Sequence, residues 1–400
     1  MGSWRLLNVY GGREQSHFME ASRKNLIAIS FSQFGNAFSA NFVHIFLPFF
    51  ILKVSPYPLQ YTLLWIGVIM GVTTLIAAFT STFWGSLTHR FSPKLLYLRA
   101  IMVNAIAFFL MGFTTDLHLM FILRLLQGLV TGTSTIGLII VSSTSPRERV
   151  SVDIGFFQAS LTLGQLVGPL FGSLAASTLG YKGAFISASV ILFTSFIFCF
   201  FFVTDVPRLP KKERGFGWAA IDKRIMIAWI LCFTAMIQLS FLPSVLPKVF
   251  EEFRVAPPVA LKLAGIVVML YTGTAMIGTY VWSLLSRRYG LYRMITFLFV
   301  LGIGFQLLLA MSRGIVDFTV IRMIQTGLVA ATFPLLISMF AGESKGSIIG
   351  FVNSGRFAGN AVGPMMATSI LAISDLRSLY LFIGAVALIA FLGFKVFYKQ

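Results

Sequence analysis

The sequence predicts an all-α polytopic membrane protein, with twelve transmembrane helices in two six-helix bundles, pseudo-two-fold symmetry and both termini cytoplasmic. Three observations carry that prediction. The 400-residue chain is 57% hydrophobic and 11% charged, too few charges to cover a soluble fold of its size. Apolar runs long enough to cross a bilayer recur from residue 26 to the C-terminus, and one long polar break divides them six and six. The two sets also resemble each other at a nearly fixed offset.

Residues 1–25 form a polar, mildly basic N-terminal segment. The apolar run after it is too long for a signal-peptide core and lacks a small-residue cleavage site, so the first span is expected to act as an uncleaved insertion signal. Windows of about 19 residues place the first six spans at 26–52, 61–85, 95–114, 119–142, 153–178 and 184–204. The second six fall at 225–249, 259–285, 294–312, 318–341, 348–371 and 379–396. The polar break DVPRLPKKERGFGWAAIDKR, 205–224, is the expected cytoplasmic linker between an N-terminal bundle, 26–204, and a C-terminal bundle, 225–400. With both termini inside, the cytoplasmic segments carry 21 Lys and Arg and the opposite side seven. That bias over short loops is the positive-inside pattern.

The internal repeat is direct. FILRLLQGL at 121–129 returns as VIRMIQTGL at 320–328, so Arg124 maps onto Arg322 and Gln127 onto Gln325. GQLVGPLFG at 164–172 answers GNAVGPMMA at 359–367, and SLTHRFSPK at 86–94 answers LLSRRYGLY at 284–292, with Arg90 on Arg288. Parallel six-span halves of this kind place a cavity between two bundles that rock against each other.

At these motifs the chain resembles the major facilitator superfamily. WGSLTHRFSPK, 84–94, is similar to that family's loop signature G-x-L-a-D-R-x-G-R-K, matching at Gly85, Leu87, Arg90 and Lys94. His89 stands where the Asp belongs, and Ser92 where the second Gly belongs. LRLLQG resembles the R-x-x-Q-G element of span 4, and GQLVGPLFGS the Gly-Pro motif of drug–proton antiporters. The likeness covers the whole chain and is nearest the bacterial twelve-span multidrug exporters. It implies a secondary transporter of the cell inner (plasma) membrane that exports small amphipathic compounds, with protons as the candidate coupling ion; the protein is expected to be a monomer among membrane lipids.

Each motif has two readings. Gly85, His89, Arg90, Lys94 and Arg288 are a conformational latch between the bundles or a simple basic anchor; histidine in place of aspartate makes any latch weaker or pH-sensitive. Gly164, Gly168 and Gly172, one turn apart, form a small-residue ridge for close helix contact. Pro169 bends its helix, and Gly363–Pro364 repeats the feature. The pair is a helix pivot or plain packing.

Three arginines lie within spans: Arg124, Arg322 and Arg356. A guanidinium in hydrocarbon costs about 2.5–3.5 kcal/mol even on insertion scales. All thirteen Asp and Glu fall in loops, termini or first helical turns, so no buried carboxylate is available to pair with them. For Arg356, neutral groups such as Asn353, Asn360 or Asn41 supply hydrogen bonds, or the guanidinium lines a wet cavity and meets an anionic group on the cargo. The embedded titratable group is His44, a candidate proton carrier or a hydrogen-bonded cavity residue. His118 belongs to an outer loop.

Asn36, Asn41 and His44 on span 1, with Gln33 beside them, Gln158 and Gln165 on span 5, Gln238 on span 7 and Tyr271 on span 8 complete the expected substrate-binding set with Arg124, Arg322, Asn353 and Arg356. Phe46, Phe241 and Phe357 are the expected apolar wall. Such a lining suits a bulky amphipathic or anionic molecule, a carboxylate siderophore for instance, better than a sugar. The competing functions are lipid or lysolipid movement between leaflets, facilitative passage of an organic anion, and a non-transporting receptor. No phosphate loop and no metal-ligand cluster occurs, so no enzymatic chemistry, metal or other cofactor is expected. The net charge of +18 is spread over loops, unlike the contiguous footprint a nucleic acid needs. Cys199 and Cys232 lie in apolar segments without a partner motif.

Overall fold

The computed structural model describes residues 3–146, 148–204, 223–340 and 346–397. The described residues form fifteen α-helices and no strand. In chain order the first seven are α1 (Ser3–Val54), α2 (Leu59–Ser86), α3 (Pro93–Met111), α4 (Leu117–Val130), α5 (Thr133–Thr144), α6 (Val150–Thr178) and α7 (Gly180–Phe202). The remaining eight are α8 (Lys223–Ser240), α9 (Leu242–Glu252), α10 (Pro257–Tyr289), α11 (Leu291–Leu308), α12 (Ile315–Val329), α13 (Thr332–Met339), α14 (Gly346–Ile373) and α15 (Leu376–Phe397). Of the expected linker only Lys223 and Arg224 lie within the described residues.

Three expected spans are split, and the local chemistry says why. Span 4 breaks at Gly132, whose φ of 149° is open to glycine and strained for any other residue. Span 7 breaks between α8 and α9, because Pro243 has no N–H to return to the carbonyl four residues earlier. Span 10 breaks at Ala330–Ala331, and Pro334, three residues into α13, frees the carbonyl of Ala330 in the same way. The helix carrying span 1 begins at Ser3 rather than near residue 26, since no proline interrupts the polar segment before it.

Eleven helices or collinear helix pairs among the described residues are long and apolar enough to cross a membrane, against twelve expected. The twelfth, α14, has the length, with 28 residues. Asn353, Arg356, Asn360 and five glycines dilute its hydropathy. It packs between α2 and α8.

Glycine ridges decide how the helices meet. Gly164, Gly168 and Gly172 of α6 lie on α1; a Cβ at Gly164 would stand 2.7 Å from the Phe34 carbonyl, and one at Gly168 2.8 Å from that of Phe38. Gly355, Gly359 and Gly363 of α14 lie on α8 in the same way, against Trp229, Phe233 and Ser240. Between the first seven helices and the last eight, α6 packs on α10 and α2 on α14. Gly265 sits against Pro169 and Ser173, and Gly67 and Gly71 against the 361–368 stretch of α14.

The chain's turns fall at two ends. The turns at 55–58, 112–116, 253–256, 312–314 and 374–375 mark one, called outer below; those at 87–92, 145–149 and 290 mark the other. Close contacts between the two helix sets concentrate toward the outer end, where the Phe49 and Phe250 rings also meet at 6.4 Å. Toward the inner end α6 and α10 expose Phe156, Ile277, Tyr280 and Leu284.

The repeat is visible in hydrogen bonds. The Trp84 indole donates to the Leu129 carbonyl at 2.6 Å, and the Trp282 indole to that of Gly327 at 3.0 Å. Donor and acceptor are each displaced by 198 residues. Each bond ties span 2 or span 8 to the last turn before a helix break.

Candidate functional site

The fully buried polar cluster of the last eight helices is organised by Arg322. Its side chain is 0% exposed and donates to the carbonyls of Gln238 at 2.8 Å and Leu239 at 3.1 Å, and to Gln325 Oε1 at 2.7 Å. The two carbonyls are those released where α8 stops. The guanidinium therefore caps a helix C-terminus, where the macrodipole favours a cation. The rings of Phe241 and Tyr271 flank it at 4.8 and 5.1 Å, and the Gln325 amide donates to Gln238 Oε1 at 3.1 Å. Arg322, Gln238 and Tyr271, expected to face cargo, are enclosed in this structure; Arg322 Nε and Gln238 Nε2 are buried there without a partner.

In the first seven helices Arg124 is 6% exposed. It donates one bond, to Gln127 Oε1 at 3.2 Å, and lies 5.7 Å from the Phe108 ring. Its Nε and Nη2 are buried with no partner. Gln33 and Asn36 fasten α1 to the broken span 4, donating to Ser134 Oγ at 3.1 Å and Thr133 Oγ1 at 3.0 Å. Tyr97 donates to Gln33 Oε1 at 3.0 Å. Asn41 is half-buried and returns its amide to the Ala37 carbonyl.

Arg356 differs from both. Its guanidinium lies 4.9 Å from the Phe333 ring and 5.1 Å from the Phe357 ring, so aromatic faces supply part of the missing counter-charge. None of the candidate bonds to Asn353, Asn360 or Asn41 is made among the described residues, and Asn41 turns its amide back on its own helix. Nε is buried and unpartnered, whereas the terminal nitrogens are outside the enclosed set and make no hydrogen bond among the described residues. Asn353, Phe357 and Asn360 on the same helix are half-buried, as is His44, while Gln158 and Gln165 of α6 are exposed. These positions belong to helices that meet at the seam between the two sets. Phe46 and Phe241, expected as cavity wall, are fully buried core.

At the inner end Lys94 donates to the Phe200 carbonyl at 2.8 Å, near the C-terminus of α7. Arg90 and Arg288 lie beside the rings of Phe91 and Tyr289. His89 closes a single 3-10 turn after α2, and Gly85 lies in the last turn of α2. Pro169 and Pro364 stand inside continuous helices. Arg99, counted with the loop charges in the sequence, is an anchor: its guanidinium stacks 3.3 Å from the Trp84 ring centre and donates to the Val130 carbonyl at 3.0 Å. The tryptophan pair was legible, since Trp84 and Trp282 share the 198-residue offset of the arginines.

Outside the spans, the His118 amide holds the Asp116 carboxyl below its usual range. Glu252 moves the other way, raised by partial burial and then by the nearby Asp375 charge. The described residues contain no group of His, Cys, Asp and Glu arranged to hold a metal, and both cysteines are free and buried.

Comparison with known proteins agrees with this architecture. The chain is 26% identical over 341 residues to the uncharacterized MFS-type transporter YuxJ of Bacillus subtilis, covering 80% of this chain and 85% of that one. It is 25% identical over 376 residues to the multidrug resistance protein MdtG of Proteus mirabilis, covering 91% and 93%. Among solved structures it superposes on the nucleoside transporter NupG with a TM-score of 0.75 and 15% identity, covering 95% of this chain and 99% of that one. A bacterial homolog of the human lysosomal transporter Spinster, inward-facing and unoccupied, gives 0.77 at 12% identity, covering 95% and 98%. The human organic anion transporter MFSD10 gives 0.67 at 16%, covering 93% and 99%. The family model of the Major Facilitator Superfamily matches residues 29–324 and 229–400. With a family model matched over most of its length, the chain belongs to the Major Facilitator Superfamily and is a multi-pass membrane transporter.

Proposed function

We propose that the protein is a twelve-span secondary transporter of the inner membrane that exports amphipathic, anionic organic compounds by rocking two six-helix bundles, 26–204 and 225–400, about the seam. Both termini are then cytoplasmic, and contacts concentrated at the outer end correspond to an inward-facing state. One observation carries the cargo assignment: among the described residues the terminal nitrogens of Arg356 make no hydrogen bond, its Nε is buried and unpartnered, and no acidic residue lies within ten positions of it in the sequence. A guanidinium so placed favours a carboxylate or phosphate by charge-assisted, bidentate bonding, with Phe333 and Phe357 against the apolar body. Relatives named for multidrug resistance and a structural neighbour named for organic anions are in keeping with that reading. Half-buried His44 is the proton-coupling candidate, Lys94 with Gly85, His89, Arg90 and Arg288 the latch, and the Gly–Pro pairs at 168–169 and 363–364 the pivots.

The test is flux in proteoliposomes under an imposed pH gradient, with an anionic siderophore-like probe and a cationic dye in parallel. Arg356→Ala is expected to slow the anion at least tenfold and the dye less than twofold, and Arg356→Lys to restore part of the anion flux. His44→Ala is expected to abolish the response to the gradient. Equal loss for both probes, or no loss, would sink the anionic-cargo assignment.

A further inference from the structure

The two helix sets treat one sequence element differently. Phe46-Leu47-Pro48 of α1 recurs as Phe241-Leu242-Pro243, 195 residues on, the same displacement as the Gly-Pro pairs. A proline has no N–H, so each leaves the carbonyl four residues earlier, His44 or Leu239, without its helical donor. In the second set the helix parts there: α8 ends at Ser240, α9 begins at Leu242, and Arg322 takes the carbonyls of Gln238 and Leu239 at 2.8 and 3.1 Å. In the first set α1 runs unbroken through Pro48 to Val54. Among the described residues Arg124, the counterpart of Arg322, makes only the bond to Gln127, with Nε and Nη2 buried and unpartnered. By the same displacement His44, whose carbonyl Pro48 has released, corresponds to Leu239, whose carbonyl Arg322 caps.

We propose that Arg124 is a positioning residue for a second state of α1. In the opposite access state α1 parts at Phe46–Pro48, and Arg124 caps the carbonyls of Val43 and His44, as Arg322 caps Gln238 and Leu239 here. This rests on the alternating-access reading and not on the cargo. The geometry supplies both sides of a two-state element: buried donors that lack acceptors in this state, and acceptors one helical break away. Gln238 is one source of the asymmetry. Its side chain braces Gln325 beside Arg322, whereas Val43, its counterpart, has no amide to offer Gln127. The second set is therefore held parted while the first keeps a helix that can close again. Opening the outer end of α1 releases Phe49 from Phe250 and unseals the seam.

The experiment measures spin-label distances across the outer end, between Thr115→Cys and Arg313→Cys, both exposed, in the full chain in lipid nanodiscs without substrate; Cys199 and Cys232 are buried and remain unlabelled. Wild type is expected to show a short and a long distance population. Pro48→Ala restores the missing donor and keeps α1 whole, and Arg124→Met removes the cap; each is expected to reduce the long population at least fivefold. Unchanged populations in both variants, or a single short distance in wild type under every condition, would overturn the proposal. Should Arg124→Met fail to fold, Pro48→Ala, which adds a donor and removes two ring methylenes but no buried polar group, decides alone. Because no substrate is present, an error in the assigned cargo leaves the outcome intact.

Discussion

Replacing Arg322 by alanine separates a structural guanidinium from a functional one. The side chain makes three buried hydrogen bonds, to Gln238 O, Leu239 O and Gln325 Oε1, and a bond from a charged donor is worth roughly 1.5–3 kcal/mol. Part of that is returned, because the buried cation no longer has to be desolvated, a penalty of several kcal/mol. What remains is two carbonyls at the α8 break and Gln325 Oε1 without their donor, and at about 1–3 kcal/mol for each buried acceptor left unsatisfied the loss is about 3–5 kcal/mol in all. At roughly 2 °C per kcal/mol for a long chain, the midpoint should fall by about 6–10 °C. Thermal unfolding in nanodiscs, followed by tryptophan fluorescence, measures it. Arg356→Ala is the internal comparison, since it breaks no hydrogen bond and trades two ring contacts of about 0.5–2 kcal/mol each against relief from burial; its midpoint should stay within about 2 °C. If Arg322→Ala melts with wild type, or Arg356→Ala falls as far as Arg322→Ala, the structural assignment of Arg322 is wrong.

Gly265→Leu drives a side chain into Pro169 and Ser173, where overpacking costs about 1–3 kcal/mol; the seam should be wedged apart and flux lost while the protein still elutes as a folded species. Trp282→Phe removes the bond to Gly327 and should cost about 1 kcal/mol, less than Trp84→Ala, which also removes the platform under Arg99. The Asp317 carboxyl accepts from the Arg313 and Gly314 amides and is held below its usual range by them, the Arg313 amide first. A lowered folded value means the stabilisation is complete above the ordinary Asp range and is lost as pH falls through the folded value. Melting midpoints of wild type and Asp317→Asn should therefore differ near neutrality and converge in acid; a constant gap down to low pH would contradict the capping role.

How much of this was legible in the sequence depends on the length scale of each signal. Spans and their order follow from apolar runs, which need no knowledge of neighbours, and their ends held within a few residues except at α1. The breaks in spans 4, 7 and 10 were not read, although Gly132, Pro243 and Pro334 announce them, because an apolar window averages over a single missing donor. The polar residues fared differently. Gln238, Tyr271 and Arg322 looked like cavity residues because one sequence cannot say whether a polar group on an inward helical face meets water or another polar group. That depended on Pro243, which sits five residues from Gln238 and supplied the acceptors. Arg99 was lost among loop charges because only the folded chain brings Trp84 and Val130 to it.

The three arginines, taken together, explain how the embedded part of the chain tolerates guanidinium groups with no buried carboxylate to pair them. Arg322 is neutralised by carbonyl dipoles at a broken helix, an arrangement that costs a helix its continuity and persists only while the break persists. Arg356 rests against two ring faces, which compensate charge without consuming its terminal donors and so leave them free for an incoming anion. Arg124 has neither, with one amide oxygen and a ring at 5.7 Å, and is the least satisfied of the three in this state. A buried donor without an acceptor raises the energy of the state that contains it. A transporter needs its states to lie within a few kcal/mol of one another, because ligands shift such equilibria only by their differential affinity. An acceptor that fully satisfied Arg124 in this state would lower its energy and oppose departure from it. Introducing one, by Val43→Gln at the position equivalent to Gln238, should stabilise Gln127 and Arg124 as Gln238 and Gln325 stabilise Arg322, raise the melting midpoint and slow turnover. A variant that is both more stable and faster would break the link between the two.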